Sequence, residues 1–316
     1  MKKVKILTTG GTIASRKNEE GRLEAGLYTG EELASRLGLP QDIHISIRSV
    51  FQKPSVHITT EDIHHLYACV KEAENEVDGI VITHGTDTLE ESAYFMSLIY
   101  GGEKPIVFTG SQRGPDALGS DAYINLRHAC YTAAAPVMTG IGTVVVFNER
   151  IFSAKYVKKE HASNIQGFNA FGFGYLGIID NDAVHLYQKP VIRECFAAAD
   201  VPVNVELVKA AMAASPGYLY ALIEDPPDGV VIEGMGRGQV PPSWIAPIET
   251  LVQLGTAVVL TTSAEEGNVY TTYEYPGSAW DMEKSGVILG HDEDSKKARM
   301  KLTACLQAGS SASEAF

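Results

Sequence analysis

The chain has 316 residues, of which 45% are hydrophobic and 21% charged, and its formal net charge is −13. That length supports a large core and two domains. The acidic balance argues against nucleic acid or an anionic membrane as the main partner, and no apolar run reaches the roughly 18 residues of a transmembrane helix.

Cys69, Cys130, Cys195 and Cys305 stand apart, with no Cys-x-x-Cys pair. They read as scattered buried thiols rather than a disulfide framework. The first strand begins almost at Met1 with no signal-like apolar stretch before it, so a cytoplasmic location is expected.

Val4, Ile6 and Leu7 form a short apolar run, as expected of a strand buried on both faces. Gly10-Gly11 breaks it, and Thr12 follows as a hydroxyl where a buried strand ends. In an open α/β sheet that edge is where ligands bind. The polar segment Ser15 to Gly26 has no period and reads as a mobile loop, placed where a lid would sit. Thr29 to Glu32 has capping-box spacing and predicts a short helix carrying Leu33 and Leu37. His44 to Val50 alternates as a strand, and Ser55 lies in the loop after Pro54. A helix starting near Thr59 or Thr60 carries Ile63, Leu66, Tyr67, Val70 and Ala73. His64 and His65 on it read as solvated or packed side chains, since no second ligand follows at i+4.

The strand Gly79–Thr83 runs into His84-Gly85-Thr86-Asp87-Thr88. Thr88 and Glu91 fit a capping box, predicting a helix through Tyr100. Pro105–Thr109 is a further strand, running into Gly110-Ser111-Gln112. Ser120 or Asp121 caps a helix through Ala133, and Gly142–Phe147 is another strand. Strands alternating with helices imply βαβ units and a parallel sheet. If the three strands ending in glycine and hydroxyl lie parallel, several hydroxyls and a carboxylate gather at one edge.

Ser153 to Lys159 looks extended, and Phe168 to Tyr175 reads as irregular, tightly packed backbone. The expected division is an N-terminal α/β domain over 1–185, a linker over 186–207 and a C-terminal α/β domain over 208–316. In the last of these, Tyr218–Ile223, Gly229–Ile232 and Thr256–Leu260 read as strands, with helices Trp244–Leu254 and Asp294–Gln307. The tail Gly309 to Phe316 reads as frayed.

No phosphate-binding loop, His-Glu-x-x-His or Gly-x-Ser-x-Gly signature occurs in the sequence, no Gly-x-Gly-x-x-Gly follows the first strand, and Gly234-Met-Gly-Arg-Gly238, which does follow a strand, fails the dinucleotide spacing. What remains is hydroxyl and amine chemistry. A threonine hydroxyl needs a base to act as nucleophile. Lys155, Lys158 and Lys159 follow the fourth strand, and one of them pointing into the sheet edge meets Thr86 or Thr12; the alternative is three surface lysines. Asp87 either holds a ligand ammonium or is a helix-start acid.

Thr9-Gly-Gly-Thr-Ile-Ala14 together with Ile82-Thr-His-Gly-Thr-Asp-Thr88-Leu-Glu-Glu closely resembles the two signature motifs of bacterial L-asparaginases, the threonine-dependent amidohydrolases that include glutaminase-asparaginases. The resemblance runs over nearly the whole chain. It implies a larger N-terminal domain with a flavodoxin-like parallel sheet, a smaller C-terminal α/β domain, and a homotetramer built as a dimer of dimers. It implies hydrolysis of the L-asparagine side-chain amide without a metal or organic cofactor, L-glutamine being the alternative amide. Thr12 matches the nucleophile, Thr86 and Lys159 the second threonine and its lysine partner, and Asp87 the carboxylate that holds the substrate α-ammonium. Ser55 matches the serine that contacts the α-carboxylate, and Gly11, Ser111 and Gln112 are expected to line the pocket.

The chain departs from the family pattern in places. The lid tyrosine position carries Leu23, with Tyr28 five residues on; Val56 follows Ser55 where glutamine is common; Arg237 stands where many members carry asparagine. Glu274 is the expected glutamate reaching a neighbouring site. A non-catalytic amino-acid-binding regulator would show damage at Thr12, Thr86, Asp87 or Lys159, and all four are present. The amidase subunit of a tRNA-dependent amidotransferase is disfavoured by the acidic charge and by the expectation of an N-terminal extension.

Overall fold

The computed structural model describes residues 1–10, 35–191 and 193–316, together with the backbone of the short strands at 15–17 and 23–25. Gly11, Thr12, Tyr28, Leu33 and the Thr29–Glu32 capping box lie outside the described residues. The chain divides into two compact units, Met1–Cys195 and Phe196–Phe316.

The first unit is built on an eight-stranded sheet. Its parallel part consists of β1 (Lys2–Thr8), β4 (Ile43–Ser49), β5 (Gly79–Thr83), β6 (Ile106–Thr109) and β7 (Thr143–Phe147), in the order β4-β1-β5-β6-β7. Taken in chain order these strands run 2-1-3-4-5, the flavodoxin-like arrangement. β5–β7 are buried along their whole length and mostly apolar and β-branched because helices cover both faces, whereas β1 mixes Lys2, Lys3 and Lys5 with the buried Val4, Ile6 and Leu7. On one face, Val4, Ile6, Val81, Val107, Val144 and Val146 pack against Leu126, Ala129, Cys130 and Ala133 of α3 (Ala122–Ala134). On the other face, α2 (Leu89–Ile99) packs on β6 and β7 and against α1 (Thr60–Ala73).

Beyond β7 the sheet turns antiparallel through β8 (Arg150–Ser153), β11 (Gly177–Asp180) and β12 (Ala183–Leu186). Each of its two hairpins closes on a two-residue loop with positive φ, Asn148-Glu149 (47° and 63°) and Asn181-Asp182 (47° and 61°). Such turns match the twist of the flanking strands, and asparagine tolerates the left-handed first position. Two short ladders complete the unit: β2 (Ser15–Lys17) with β3 (Leu23–Ala25), and β9 (Lys158–Lys159) with β10 (Phe168–Asn169).

The second unit carries a parallel sheet in the order β13 (Val205–Lys209), β14 (Gly229–Gly234), β15 (Ala257–Thr262), β16 (Ile288–Leu289). α4 (Gly217–Glu224), α5 (Ile245–Gln253) and α6 (Ala279–Lys284) pack on one face around Val230, Ile232, Val258 and Leu260. α7 (Ser295–Gln307) covers the other through Ala298 and Leu302.

The structure corrects several expectations. The segment 15–26 contains the paired strands β2 and β3, which no apolar alternation announces. Tyr218–Ile223 is helical, not extended. An apolar run this short satisfies either period, and burial decides: Leu219 is buried, and Leu222 and Ile223 pack beside it at helical spacing, while Tyr218 and Tyr220 are exposed. The expected linker is too long at both ends, since Leu186 closes β12 and Val205–Leu207 lie in β13. Ser153–Lys159 is not continuously extended; Ala154–Tyr156 form a turn. The tail forms α8 (Ala312–Ala315), and Phe316 packs on the α7 cluster with the Lys301 ammonium 4.7 Å from its ring centroid. Three of the four cysteines are buried, whereas Cys195 is exposed.

Leu126 is fully buried at the centre of the α3 face. Leu126→Ala is expected to lower unfolding stability by about 2–5 kcal/mol, through lost transfer energy and a residual cavity, read as a lower urea midpoint at unchanged slope.

Candidate active site

The site forms at the carboxyl ends of β1, β5 and β6, beside the point where the strand order reverses. The strand ends are stitched together. Thr9 donates through both N–H (3.2 Å) and Oγ1 (2.9 Å) to the Thr83 carbonyl, and the His84 N–H donates to the Thr109 carbonyl (2.9 Å). Gly10 has φ of 134°, and an added β-carbon would lie 2.3 Å from the Lys53 carbonyl oxygen. Only glycine allows β1 to leave the sheet so close to the segment that follows β4. Gly110 is constrained in the same way, a β-carbon there falling 2.6 Å from the His84 carbonyl oxygen.

The β5 loop presents Thr86 and Asp87, and β9 brings Lys159 to both. The Lys159 ammonium donates to Thr86 Oγ1 at 2.9 Å and to Asp87 Oδ1 at 2.7 Å. Its side chain is 13% exposed and that of Asp87 63%, so the amine is shielded while the carboxylate faces solvent. Thr86 Oγ1 in turn lies 3.4 Å from Gln112 Oε1 on the β6 loop. Ser55 is buried at the start of a single 3-10 turn, Ser55–His57. Its Oγ sits against Gly85, and its carbonyl accepts from Thr88 Oγ1 at 2.8 Å. That last bond corrects the expected capping box: the Thr88 hydroxyl ties the loop to Ser55 instead of capping α2.

The lysine choice left open by the sequence is resolved by this geometry. Strand alternation sends the Lys158 and Lys159 side chains to opposite sides of β9. Lys155 lines a separate cleft of about 320 Å³ with Tyr94, Ser97, Thr143, Phe173 and Arg193. Ser111 is half-buried in the β6 loop. Glu274 and Arg237 belong to the second unit, where both are exposed and the Arg237 guanidinium lies 5.6 Å from the Tyr270 ring centroid.

A family model described as "Asparaginase, N-terminal" matches residues 3–192, and one described as "Glutaminase/Asparaginase C-terminal domain" matches residues 204–315. The chain belongs to the asparaginase family. An L-asparaginase of Bacillus licheniformis is 54% identical over 307 residues, covering 96% of this chain and 95% of the relative. A probable L-asparaginase of Deinococcus radiodurans is 34% identical, covering 97% of this chain and 93% of the relative. The crystal structure of a probable cytoplasmic L-asparaginase from Campylobacter jejuni superposes with a TM-score of 0.88 at 27% identity, covering 100% of this chain and 98% of that one.

Three supporting residues in this asparaginase-family site escaped sequence reading. Asp121, expected as a helix cap, accepts instead from the main-chain N–H groups of Gln112 (3.0 Å) and Arg113 (2.9 Å). Asn125 donates to Asp121 (3.0 Å) and to the Gly110 carbonyl (3.0 Å), and accepts from the Asn148 N–H (3.0 Å). The i, i+4 spacing of Asp121 and Asn125 was the available signal, and both are buried. The third is Glu90, fully buried in the first turn of α2.

His84 sits beneath the loop against Phe108, with ring centroids 6.0 Å apart. Its Nδ1 lies 2.8 Å from the Gly85 carbonyl, which can only accept, so Nδ1 carries the proton. Complete burial pushes the imidazole down from 6.5 to about 4. Because the folded-state value lies below the unfolded one, the unfolded chain takes up the proton first as pH falls. The contribution is therefore complete above about pH 6.5, and it is lost as pH falls toward about 4. Over that window it amounts to on the order of 3 kcal/mol. Urea melts at pH 7.5 and pH 4.5 are expected to show a smaller loss of stability on acidification for His84→Gln than for the unchanged protein.

Proposed function

We propose that this chain hydrolyses the side-chain amide of L-asparagine to L-aspartate and ammonia, with Thr12 as the nucleophile. The observation that carries the reading is the convergence of Lys159 on Thr86 and Asp87 at the strand-order reversal. Gly10 is the last described residue after β1, at the same edge, and Thr12 follows two positions later in the sequence. The family relationship supports the same chemistry, and the 54% identical relative is named an L-asparaginase.

In this mechanism the Thr12 hydroxyl oxygen attacks the amide carbon, and its proton passes through Thr86 Oγ1 to the Lys159 nitrogen, which accepts it as a neutral amine. Main-chain N–H groups of the surrounding loops, Gly11 among them, steady the oxyanion. A proton returns to the departing nitrogen as the C–N bond breaks, releasing ammonia. Water then resolves the acyl-enzyme; direct attack by water assisted by Thr12 gives the same products. Asp87 pairs with the substrate α-ammonium and Ser55 with its α-carboxylate, while Ser111 and Gln112 line the pocket. The Asp87 carboxylate suits its role because it is mostly exposed yet anchored by Lys159. No step calls for a metal or organic cofactor.

The same reading assigns Glu274 to the site of a neighbouring protomer in a homotetramer, a dimer of dimers, and places the protein in the cytoplasm. Among the described residues no helix is long and apolar enough to cross a membrane. A broader glutaminase-asparaginase activity is the second reading, favoured by a 29% identical relative from Pseudomonas aeruginosa that bears that name.

Ammonia release from L-asparagine, L-glutamine and D-asparagine by the purified protein tests the reading and ranks the amides. L-Asparagine is expected to be turned over fastest. Thr12→Ala, Thr86→Val and Lys159→Met are each expected to lower kcat by about 100- to 10,000-fold with the circular dichroism spectrum unchanged. Near-normal turnover by Thr12→Ala or Thr86→Val would remove this mechanism.

A further inference from the structure

We propose that Glu90 is a positioning residue for Lys159. Its buried carboxylate holds the lysine main chain in the register that delivers the ammonium to Thr86 and Asp87. The proposal rests on the amidohydrolase reading above.

Glu90 is fully buried in the first turn of α2, and its Oε2 accepts the main-chain N–H of Lys159. The same lysine reaches Thr86 and Asp87 with its ammonium, at 2.9 and 2.7 Å. One short run of chain, Thr86 to Glu90, therefore grips Lys159 at both ends. The grip is needed because the local ladder is weak. β9 is two residues long and among the described residues pairs only with β10, through Phe168↔Lys159 and Asn169↔Lys158, with the Gly167 carbonyl accepting from Glu160 and His161 beyond it. A turn at Ala154–Tyr156 precedes it. A one-residue slip in so short a ladder would send the Lys159 side chain to the opposite face and bring Lys158 or Glu160 into its place.

A helix-dipole role does not account for Glu90. An acid that serves the dipole works from a solvated first turn, and Glu91 in the same turn is the partly exposed one. A carboxylate removed from water is costly unless it is well hydrogen-bonded. The bond to Lys159 spans 69 residues of sequence, so the burial secures a long-range register rather than the helix itself.

The test uses the full-length protein with L-asparagine as substrate, comparing Glu90→Ala, Glu90→Gln, Lys159→Met and the double variant Glu90→Ala/Lys159→Met. Glutamine keeps an acceptor oxygen where Glu90 presents one, and alanine removes it. Glu90→Ala is expected to lower kcat about 10- to 100-fold with KM within about threefold, and Glu90→Gln to stay within about threefold of the parent. On the Lys159→Met background Glu90→Ala is expected to change kcat by less than about twofold, because the two side chains act through one group. If Glu90→Ala does not yield folded protein, Glu90→Asp withdraws the acceptor by one methylene and carries the same expectation. Equal losses from Glu90→Ala with and without Lys159, or an unchanged kcat in Glu90→Ala while Lys159→Met is impaired, would overturn the proposal alone. Full activity in Lys159→Met would overturn the amidohydrolase assignment of that lysine, and the role of Glu90 with it.

Discussion

Parallel register sets Thr8 beside Thr83 and Thr83 beside Thr109, so β1, β5 and β6 end at one level. Everything at the candidate site depends on that alignment. The loops leaving these strands carry short polar side chains, which reach one another only if their backbones start from a common edge. Hydrogen bonds from Thr9 to the Thr83 carbonyl and from His84 to the Thr109 carbonyl continue the ladder one residue past the strands. These bonds fix the direction in which Thr9 and His84 leave the sheet.

The charge arrangement follows from the same alignment. Lys159 comes from a segment outside the parallel sheet, yet its ammonium ends between a hydroxyl and a carboxylate supplied by the β5 loop. The amine is shielded beside one carboxylate and a hydroxyl, while the carboxylate stays exposed, the geometry on which the proposed proton transfer and substrate pairing rest. Around this pair further hydrogen bonds hold the loops. Asp121 and Asn125 clamp the β6 loop, Thr88 ties the β5 loop to the Ser55 turn, and Glu90 holds the β9 main chain. Each of these bonds joins residues with a side chain that sequence pattern alone would assign to a helix start or a helix face.

Much of the fold is legible in the sequence because local patterns carry it. Buried parallel strands show as β-branched runs, α1 and α3 show their apolar faces at helical spacing, and the glycine-hydroxyl turns mark strand ends. The misreadings occur where local pattern is ambiguous or silent. Tyr218–Ile223 fits both periods, and only the packing of Leu219, Leu222 and Ile223 against the second sheet decides for a helix. The antiparallel extension β8-β11-β12 carries little local signal, because its strands are four residues long and their burial is uneven.

What the sequence by itself determined is the family motifs, the flavodoxin-like class of the larger domain, and the threonines, aspartate and group of three lysines from which the site is drawn. The motifs and the lysine group are written in residues a few positions apart, where backbone geometry makes spacing and direction equivalent, and the flavodoxin-like class is what the resemblance carried by those motifs implies. Spacing left Lys155, Lys158 and Lys159 open and the family resemblance named Lys159; the tertiary structure supplied the geometry by which Lys159 meets Thr86. It also decided that Glu90, Asp121 and Asn125 face inward to hold the loops. The physical reason is separation: Lys159 and Thr86 lie 73 residues apart, and their meeting is set by sheet register and strand alternation, which no local stretch of sequence encodes.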